Sequence, residues 1–537
     1  MRAPRRRALA ALGAALAVKG VAVDWVTDRS KPFSVPFDVF AADGRLWIAP
    51  EWEWSEAEER HATRTPLDIK GANWAGFQQD GCPHELYKRD NSVDKYVKFL
   101  EDNGFNAVRL PLGAHWVLDN PKTGDNCGSY SDTRTLDVLD GVVAALRNAG
   151  IFVMFDMHNL VDPKHGSKHW RCVYGHDDDD GCDPDEDDEQ PLFGAWTVLA
   201  ERYCAEPNVV AADLFNAPSD ATWAHKGEKI DFFTDWPSAA SRLGNHVLDI
   251  CPRWLIVVAG VANKGGQCKD SASKTHCWWG ENFIGHATRP IELTDPSKLV
   301  LSPHVYGDTN DGRDYGDPND GPDIWDAHFG DAAAATGTAV LIGEWGGVWD
   351  GPEKGPGNTG TRGPTEDFQR RFHAYIKAKG WGYFYWALQD NTFGTGSLYN
   401  DWQGHSADKL ALLSTSPSTS ILELQAGWSS YPPAPPPSQP RPPPRPPWKP
   451  IAATALADTS PRTVQAGGSG DDAAPTGGGS SALLIVTVVV LAALVTVLLL
   501  AVGLAVRRIT TLRAHALTGR VSAVELQTEV PVVERAL

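Results

Sequence analysis

Eight short apolar runs, each followed by an amphipathic or polar stretch, constrain this chain more than any other feature. They lie near Ile69 to Trp74, at Ala107 to Leu110, Phe152 to Asp156, Leu214 with its preceding valines, Leu255 to Ala259, Leu299 to Ser302, Val340 to Gly343 and Tyr383 to Ala387. After the first run, Asn91 and Ser92 can cap a helix whose Val93, Tyr96, Val97 and Leu100 share one face, and Asn103-Gly104 stops it. Leu136, Leu139, Val143 and Leu146 make a second such helix, ended by Gly150. Eight strand-helix units over about 360 residues are the pattern of an α/β fold of the (β/α)8 TIM-barrel type. The competing doubly wound open sheet would carry Gly-x-Gly-x-x-Gly after a strand, and no run here has it.

The chain of 537 residues is 42% hydrophobic, enough for a large core. Its net charge of -19, from 49 Lys and Arg against 68 Asp and Glu, excludes the basic face that a nucleic acid partner would need. Twenty-one tryptophans, some in glycine-rich contexts such as Cys277-Trp278-Trp279-Gly280, suit platforms that stack on the flat faces of sugars, although most are expected in the core. All 8 cysteines (82, 127, 172, 182, 204, 251, 268 and 277) precede a proline-rich stretch, which predicts disulfides and an oxidising compartment. Sequence proximity favours Cys172 with Cys182 and Cys268 with Cys277, among about 105 pairings. No Cys-x-x-Cys occurs, so no structural zinc site is expected.

Four arginines (2, 5, 6 and 7) ahead of apolar Ala8 to Val18 read as a secretory signal over residues 1–23, cleaved near Gly20 or Val23. Residues 33–428 form the expected globular domain, and 429–481 a proline-rich then Gly/Ser-rich, disordered linker. Residues 482–506 carry no charge, and at 1.5 Å per residue they cover about 37 Å, more than a ~30 Å hydrocarbon layer, so a single transmembrane helix is expected. Arg507, Arg508, Arg513 and Arg520 place the tail 507–537 in the cytoplasm. A lipid-anchor signal would end the chain there, whereas about thirty residues continue. The expectation is a single-pass type I protein at the cell surface, with the barrel outside.

Seven residues fall just after six of the predicted strands: Arg109, His158, Asn216, His304, Tyr306, Glu344 and Trp386. In a barrel these positions converge on one mouth. The stretches Gly71-Ala72-Asn73-Trp74, Asn106 to Pro111, Asp213-Leu214-Phe215-Asn216-Ala217-Pro218, Ala221-Thr222-Trp223, Trp278 to Asn282, Ser302 to Tyr306, Ile342-Gly343-Glu344 and Asp401-Trp402-Gln403 together resemble glycoside hydrolase family 5, and most closely its endo-β-1,4-glucanase branch, over roughly residues 66 to 405. The resemblance implies a retaining mechanism on a β-glucan polysaccharide or oligosaccharide, without metal or cofactor, in which two carboxyl groups lie about 5–5.5 Å apart. It implies that Glu344 is the nucleophile, that Arg109 and Tyr306 keep it ionised and oriented, and that Asn216 bonds the sugar 2-OH. His158 and His304 would line the cleavage subsite, Trp386 would be its floor, and Trp74, Trp278 and Trp279 would contact substrate.

One position departs from that pattern. The family's acid/base glutamate lies between Asn and Pro of the fourth-strand motif, and here Ala217 stands there. Losing a general acid costs about 10²–10⁴ in rate. Weak turnover, a catalytically inactive membrane-tethered glucan-binding protein, and a sequence error are the three readings; Asp220 is the weak candidate for a replacement acid, and Asp213 matches a non-catalytic position. The acidic run 177–189, with 10 carboxylates in 13 residues, fits no calcium-loop spacing and reads as a solvated loop.

Overall fold

The computed structural model describes residues 31–50, 64–88, 91–160, 170–171, 189–218, 221–224, 229–262, 277, 279–307, 321–349, 353–354, 361–362, 365–389, 397–400, 404–405 and 407–428. The expected signal, linker, membrane helix, tail and most of the acidic run, with Asp220, Trp278 and Trp402, lie outside the described residues.

The chain opens with an antiparallel sheet of β1 (Phe37–Ala42), β2 (Arg45–Pro50) and β3 (Thr65–Pro66), which the apolar pattern did not announce. The barrel follows: β4 (Lys70–Asn73), β5 (Ala107–Gly113), β6 (Phe152–Asn159), β7 (Val209–Asp213), β8 (Leu255–Ala259), β9 (Leu299–Ser302), β10 (His304–Tyr306), β11 (Ala339–Gly346) and β12 (Gly382–Trp386). Pro303 cannot donate to the ladder and divides the sixth barrel strand into β9 and β10, both of which pair with β11. All pairings are parallel and β12 returns to β4, so the eight expected strands close into a barrel.

Helices pack outside the strands, beginning with α1 (Val93–Asp102), whose N-cap Ser92 accepts from Lys95 N at 3.2 Å, and α2 (Thr135–Asn148). Next come α3 (Gln190–Tyr203), α4 (Trp236–Ile250), α5 (Asp331–Thr336) and α6 (Glu366–Lys379). Side chains alternate along each strand. Val108, Leu110, Val153 and Phe155 face the helices, while Ala107, Phe152, Met154, Leu255, Val257, Leu341 and Phe384 fill the interior at the strands' N-terminal ends. Gly71 is required beside Phe384, whose ring would lie 2.3 Å from a Cβ there.

That interior layer is closed from below by the N-terminal segment. Phe33, Val35, Phe37, Val39, Leu46 and Ile48 join it, together with Ile421 and Trp428 of the last described helix, α7 (Ile421–Trp428). Gln425 Oε1 accepts from the backbone N–H groups of Ser34 at 2.7 Å and Val35 at 3.3 Å, so the two ends of the domain are fastened together. The buried Lys298 ammonium donates to Asp38 Oδ1 and Val39 O, both at 2.7 Å, and anchors β1 to the barrel.

Disulfides are present, with pairings that spacing did not single out. Cys82–Cys127 joins the loops after the first two barrel strands, and Cys204–Cys251 joins the C-terminal ends of α3 and α4. Cys277 is also disulfide-bonded, while Cys172, Cys182 and Cys268 lie outside the described residues.

Two consequences are measurable. Closing the 47-residue separation of Cys204 and Cys251 restricts the unfolded chain, so Cys204→Ser with Cys251→Ser should cost about 2–4 kcal/mol in urea unfolding. His286 is fully buried, Nε2 lies 3.2 Å from Thr338 Oγ1, and burial pushes its pKa down to about 4. Its proton binds only in the unfolded chain, so the stability it adds is complete above the unfolded pKa of about 6.5 and is lost as pH falls toward 4. The acid limb of the stability curve should flatten over that window in His286→Gln.

Candidate active site

Above the apolar layer, the next inward-facing residues are polar. Asn73, Arg109, Asp156, Asp213, Ser302 and His304 are all buried at the C-terminal ends of their strands. Glu344 reaches this layer through an irregularity. Ala339 and Leu341 point inward, yet Trp345 packs outside against Phe372, Tyr383 and Tyr385, so the facing of β11 changes between residues 341 and 345. The change coincides with a register shift against β12 between Ile342 and Trp345, a bulge that turns the Glu344 carboxylate into the mouth. Gly343 makes room there, since a Cβ would lie 2.3 Å from Ser302 Oγ and 2.7 Å from His304 Nε2.

Arg109 organises the layer. Its guanidinium has no solvent exposure and meets five partners, four through hydrogen bonds and one through an ion pair. Nε donates to Asp213 Oδ2 at 2.9 Å, Nη1 to Asn73 Oδ1 at 2.9 Å and Glu344 Oε1 at 2.8 Å, and Nη2 to Asn216 Oδ1 at 3.0 Å, while Nη2 and Asp156 Oδ1 form an ion pair at 3.0 Å. Asn73 is fixed in turn, because its Nδ2 donates to Gly343 O at 3.1 Å. The other Glu344 oxygen, Oε2, accepts from Tyr306 OH at 2.8 Å, and His304 Nδ1 lies 3.8 Å from it. Both carboxylate oxygens are therefore held, and the side chain keeps 9% exposure toward the mouth.

Burial lowers the Arg109 pKa, but Asp156, Asp213 and Glu344 outweigh it, so the guanidinium titrates above its usual range. Asp213 goes the other way: burial pushes its pKa up to about 8 against the pull of Arg109, and Asp156 and Glu344 add to the rise. Near neutral pH Asp213 therefore retains its proton in large part.

His158, next to last in β6, has Nδ1 2.7 Å from Asp156 Oδ2 and Nε2 3.3 Å from Asn216 Nδ2. Its ring stacks on Trp386, with centroids 5.6 Å apart and planes 15° apart. Asn216 N donates to Met157 O at 2.9 Å, which sets the start of the Asn216-Ala217-Pro218 turn beside the His158 strand end. Ala217 is buried and adopts φ +40°, a left-handed conformation unusual for a residue with a Cβ.

Seven of the residues predicted for the site thus converge: Arg109, His158, Asn216, His304, Tyr306, Glu344 and Trp386. Trp279 is 42% exposed in the loop after the fifth barrel strand, and Trp278 lies outside the described residues. Trp74 requires a correction. It is fully buried with its ring 5.3 Å from that of Tyr96 on α1, because residues 71 and 73 face inward and residue 74 faces the helix layer. It is a core residue, and its neighbour Asn73 is the one in the site. Asp156 was likewise missed; lying two residues before His158 on the same strand face, it could have been found from period-two alternation.

Comparison with known proteins agrees with this geometry. Residues 66–392 match the model of the family described as cellulase (glycosyl hydrolase family 5). The chain is 28% identical to an endoglucanase of Paenibacillus polymyxa over 357 residues, covering 64% of this chain and 81% of that protein. It is 30% identical to the major extracellular endoglucanase of Xanthomonas campestris pv. campestris, covering 65% of this chain and 67% of the relative. Among solved structures, the complex of an alanine variant of the Pyrococcus horikoshii endocellulase with cellotetraose superposes with a TM-score of 0.56 at 27% identity, covering 71% of this chain and 98% of that one. An eight-stranded parallel barrel, a guanidinium-held carboxylate at its mouth and a family match over most of the described domain give one conclusion: the chain belongs to the cellulase family, glycosyl hydrolase family 5, and is a glycoside hydrolase of its endo-β-1,4-glucanase branch.

Proposed function

We propose that this chain cleaves β-1,4-glucan with retention of configuration, Glu344 acting as nucleophile, and that turnover is weakened because Ala217 occupies the acid/base position. The observation that carries the reading is the way Arg109 and Tyr306 each bind one Glu344 oxygen at 2.8 Å while the carboxylate still faces the mouth. Two fixed donors aim it, as nucleophilic attack on an anomeric carbon requires. The cellotetraose complex of the related endocellulase supports a β-linked glucose oligomer as substrate class. Trp386 would lie under the sugar that distorts, Asn216 would meet its 2-OH, and Trp279 would serve an outer unit.

The second carboxyl group that this chemistry uses has no evident replacement among the described residues. Asp156 and Asp213, the other carboxyl groups of the Arg109 cluster, have no exposure and are bound to that guanidinium. An alkoxide must then leave with poor proton assistance, which weighs most on unactivated sugars. Ala217 is also the observation favouring the second reading, a glucan-binding protein that does not turn over. Cell-surface anchoring is part of the proposal, supported by the uncharged run 482–506 with its following arginines and by the disulfides of the domain.

Reducing-end release from a soluble β-1,4-glucan should be slow for the wild type and fall to background in Glu344→Gln. Ala217→Glu should raise kcat by about 10²-fold or more. Glucan binding without release from either the polymer or an aryl β-cellobioside would establish the binding reading instead.

A further inference from the structure

The hydrogen bonds around His158 define its protonation state. Arg109 has only donors, so its bond to Asn216 identifies the acceptor atom of that amide as Oδ1, at 3.0 Å. The amide therefore presents its NH₂ group to His158, and Nε2, 3.3 Å away, must accept. Nδ1 then carries the ring proton and donates it to Asp156 Oδ2 at 2.7 Å. The resting imidazole is neutral, with its lone pair on Nε2. A carboxylate behind Nδ1 is the arrangement that orients an imidazole for proton transfer and stabilises its charged form. Stacking on Trp386, the expected floor of the sugar subsite, fixes the ring plane, and the side chain keeps 17% exposure. Among the described residues, the charged groups joined to it through this network are Asp156 on its own strand and Arg109 on β5, with Asp213 and Glu344 beyond Arg109.

We propose that His158, backed by Asp156, is the acid/base of this chain in place of the missing carboxylate at position 217. The proposal rests on the retaining reading above. In the first half-reaction Glu344 attacks the anomeric carbon, and the C–O electron pair leaves with the glycosidic oxygen, which takes the Nε2 proton of imidazolium His158. In the second, water gives a proton to neutral Nε2, its oxygen bonds to the anomeric carbon, and the ester electrons return to Glu344. His158 is then imidazolium again, and one water has been consumed. The network also favours the transfer: Arg109 prevents Asn216 from turning, so a protonated Nε2 faces another donor. Because the resting ring is neutral, only a fraction of molecules is ready for the first half-reaction, in keeping with weak turnover.

The test compares wild type with His158→Gln and His158→Asn on 2,4-dinitrophenyl and 4-methoxyphenyl β-cellobiosides, with and without azide. The variants should lose about 10²–10⁴ in kcat/KM on the methoxyphenyl substrate and at least tenfold less on the dinitrophenyl one, where only the subsite contacts of His158 are lost because that leaving group needs no proton. Retained dinitrophenyl cleavage, accelerated by azide with formation of β-cellobiosyl azide, also shows that the variants fold. In wild type, kcat/KM on the methoxyphenyl substrate should fall as pH rises and the imidazolium fraction declines, and that limb should vanish in both variants. Wild type that is itself accelerated by azide would overturn the assignment, as would variants that lose both substrates equally without azide rescue. Absence of a glycosyl adduct on Glu344 with a 2-fluoro cellobioside would instead overturn the retaining reading, and this assignment with it.

Discussion

A single buried guanidinium holds the mouth of this barrel together. Arg109 is fully desolvated, and its five contacts come from four strands: Asn73, Asp156, Glu344, and Asp213 with Asn216 just past the end of the same strand. Such a cation is tolerated inside a protein only when its donors find acceptors and its charge is met, and here the carboxyl and amide groups around it supply both. The converse also applies. None of the three carboxyl groups could be buried so deeply without Arg109, so the polar layer is one unit, and loss of the arginine would leave buried acceptors without their donor.

Strand geometry decides which residues join that unit. Simple alternation carries Asn73, Arg109, Asp156, His158, Asp213 and Trp386 inward above an apolar floor. Glu344 needs the bulge in β11, which changes the facing of the strand by one residue between Leu341 and Trp345. The apolar stuffing beneath stiffens the platform, and the helices outside it hold the strands in place. Ala217, by contrast, lies beyond the end of β7 in a left-handed turn, where the strand ladder no longer dictates what the side chain does.

Much of this was legible before any coordinates. All eight barrel strands follow from short apolar runs, and the residues after them converge as a parallel barrel demands. What stayed hidden was information about facing and long-range contact. Trp74 looks like a sugar platform in one dimension, yet it lies one residue past the inward-facing Asn73. The sheet of β1 to β3 is short and makes sense only against the barrel floor it covers. The pairs Cys82–Cys127 and Cys204–Cys251 are 45 and 47 residues apart, and only the three-dimensional wrapping of successive units brings them together.

The way the floor is closed gives the domain a direction. Phe33 to Val39 and the helix ending at Trp428 share one apolar cluster at the N-terminal ends of the strands, and the Phe37 and Trp428 rings lie 6.4 Å apart. The described domain therefore receives and releases its polypeptide at the pole opposite the Glu344 groove.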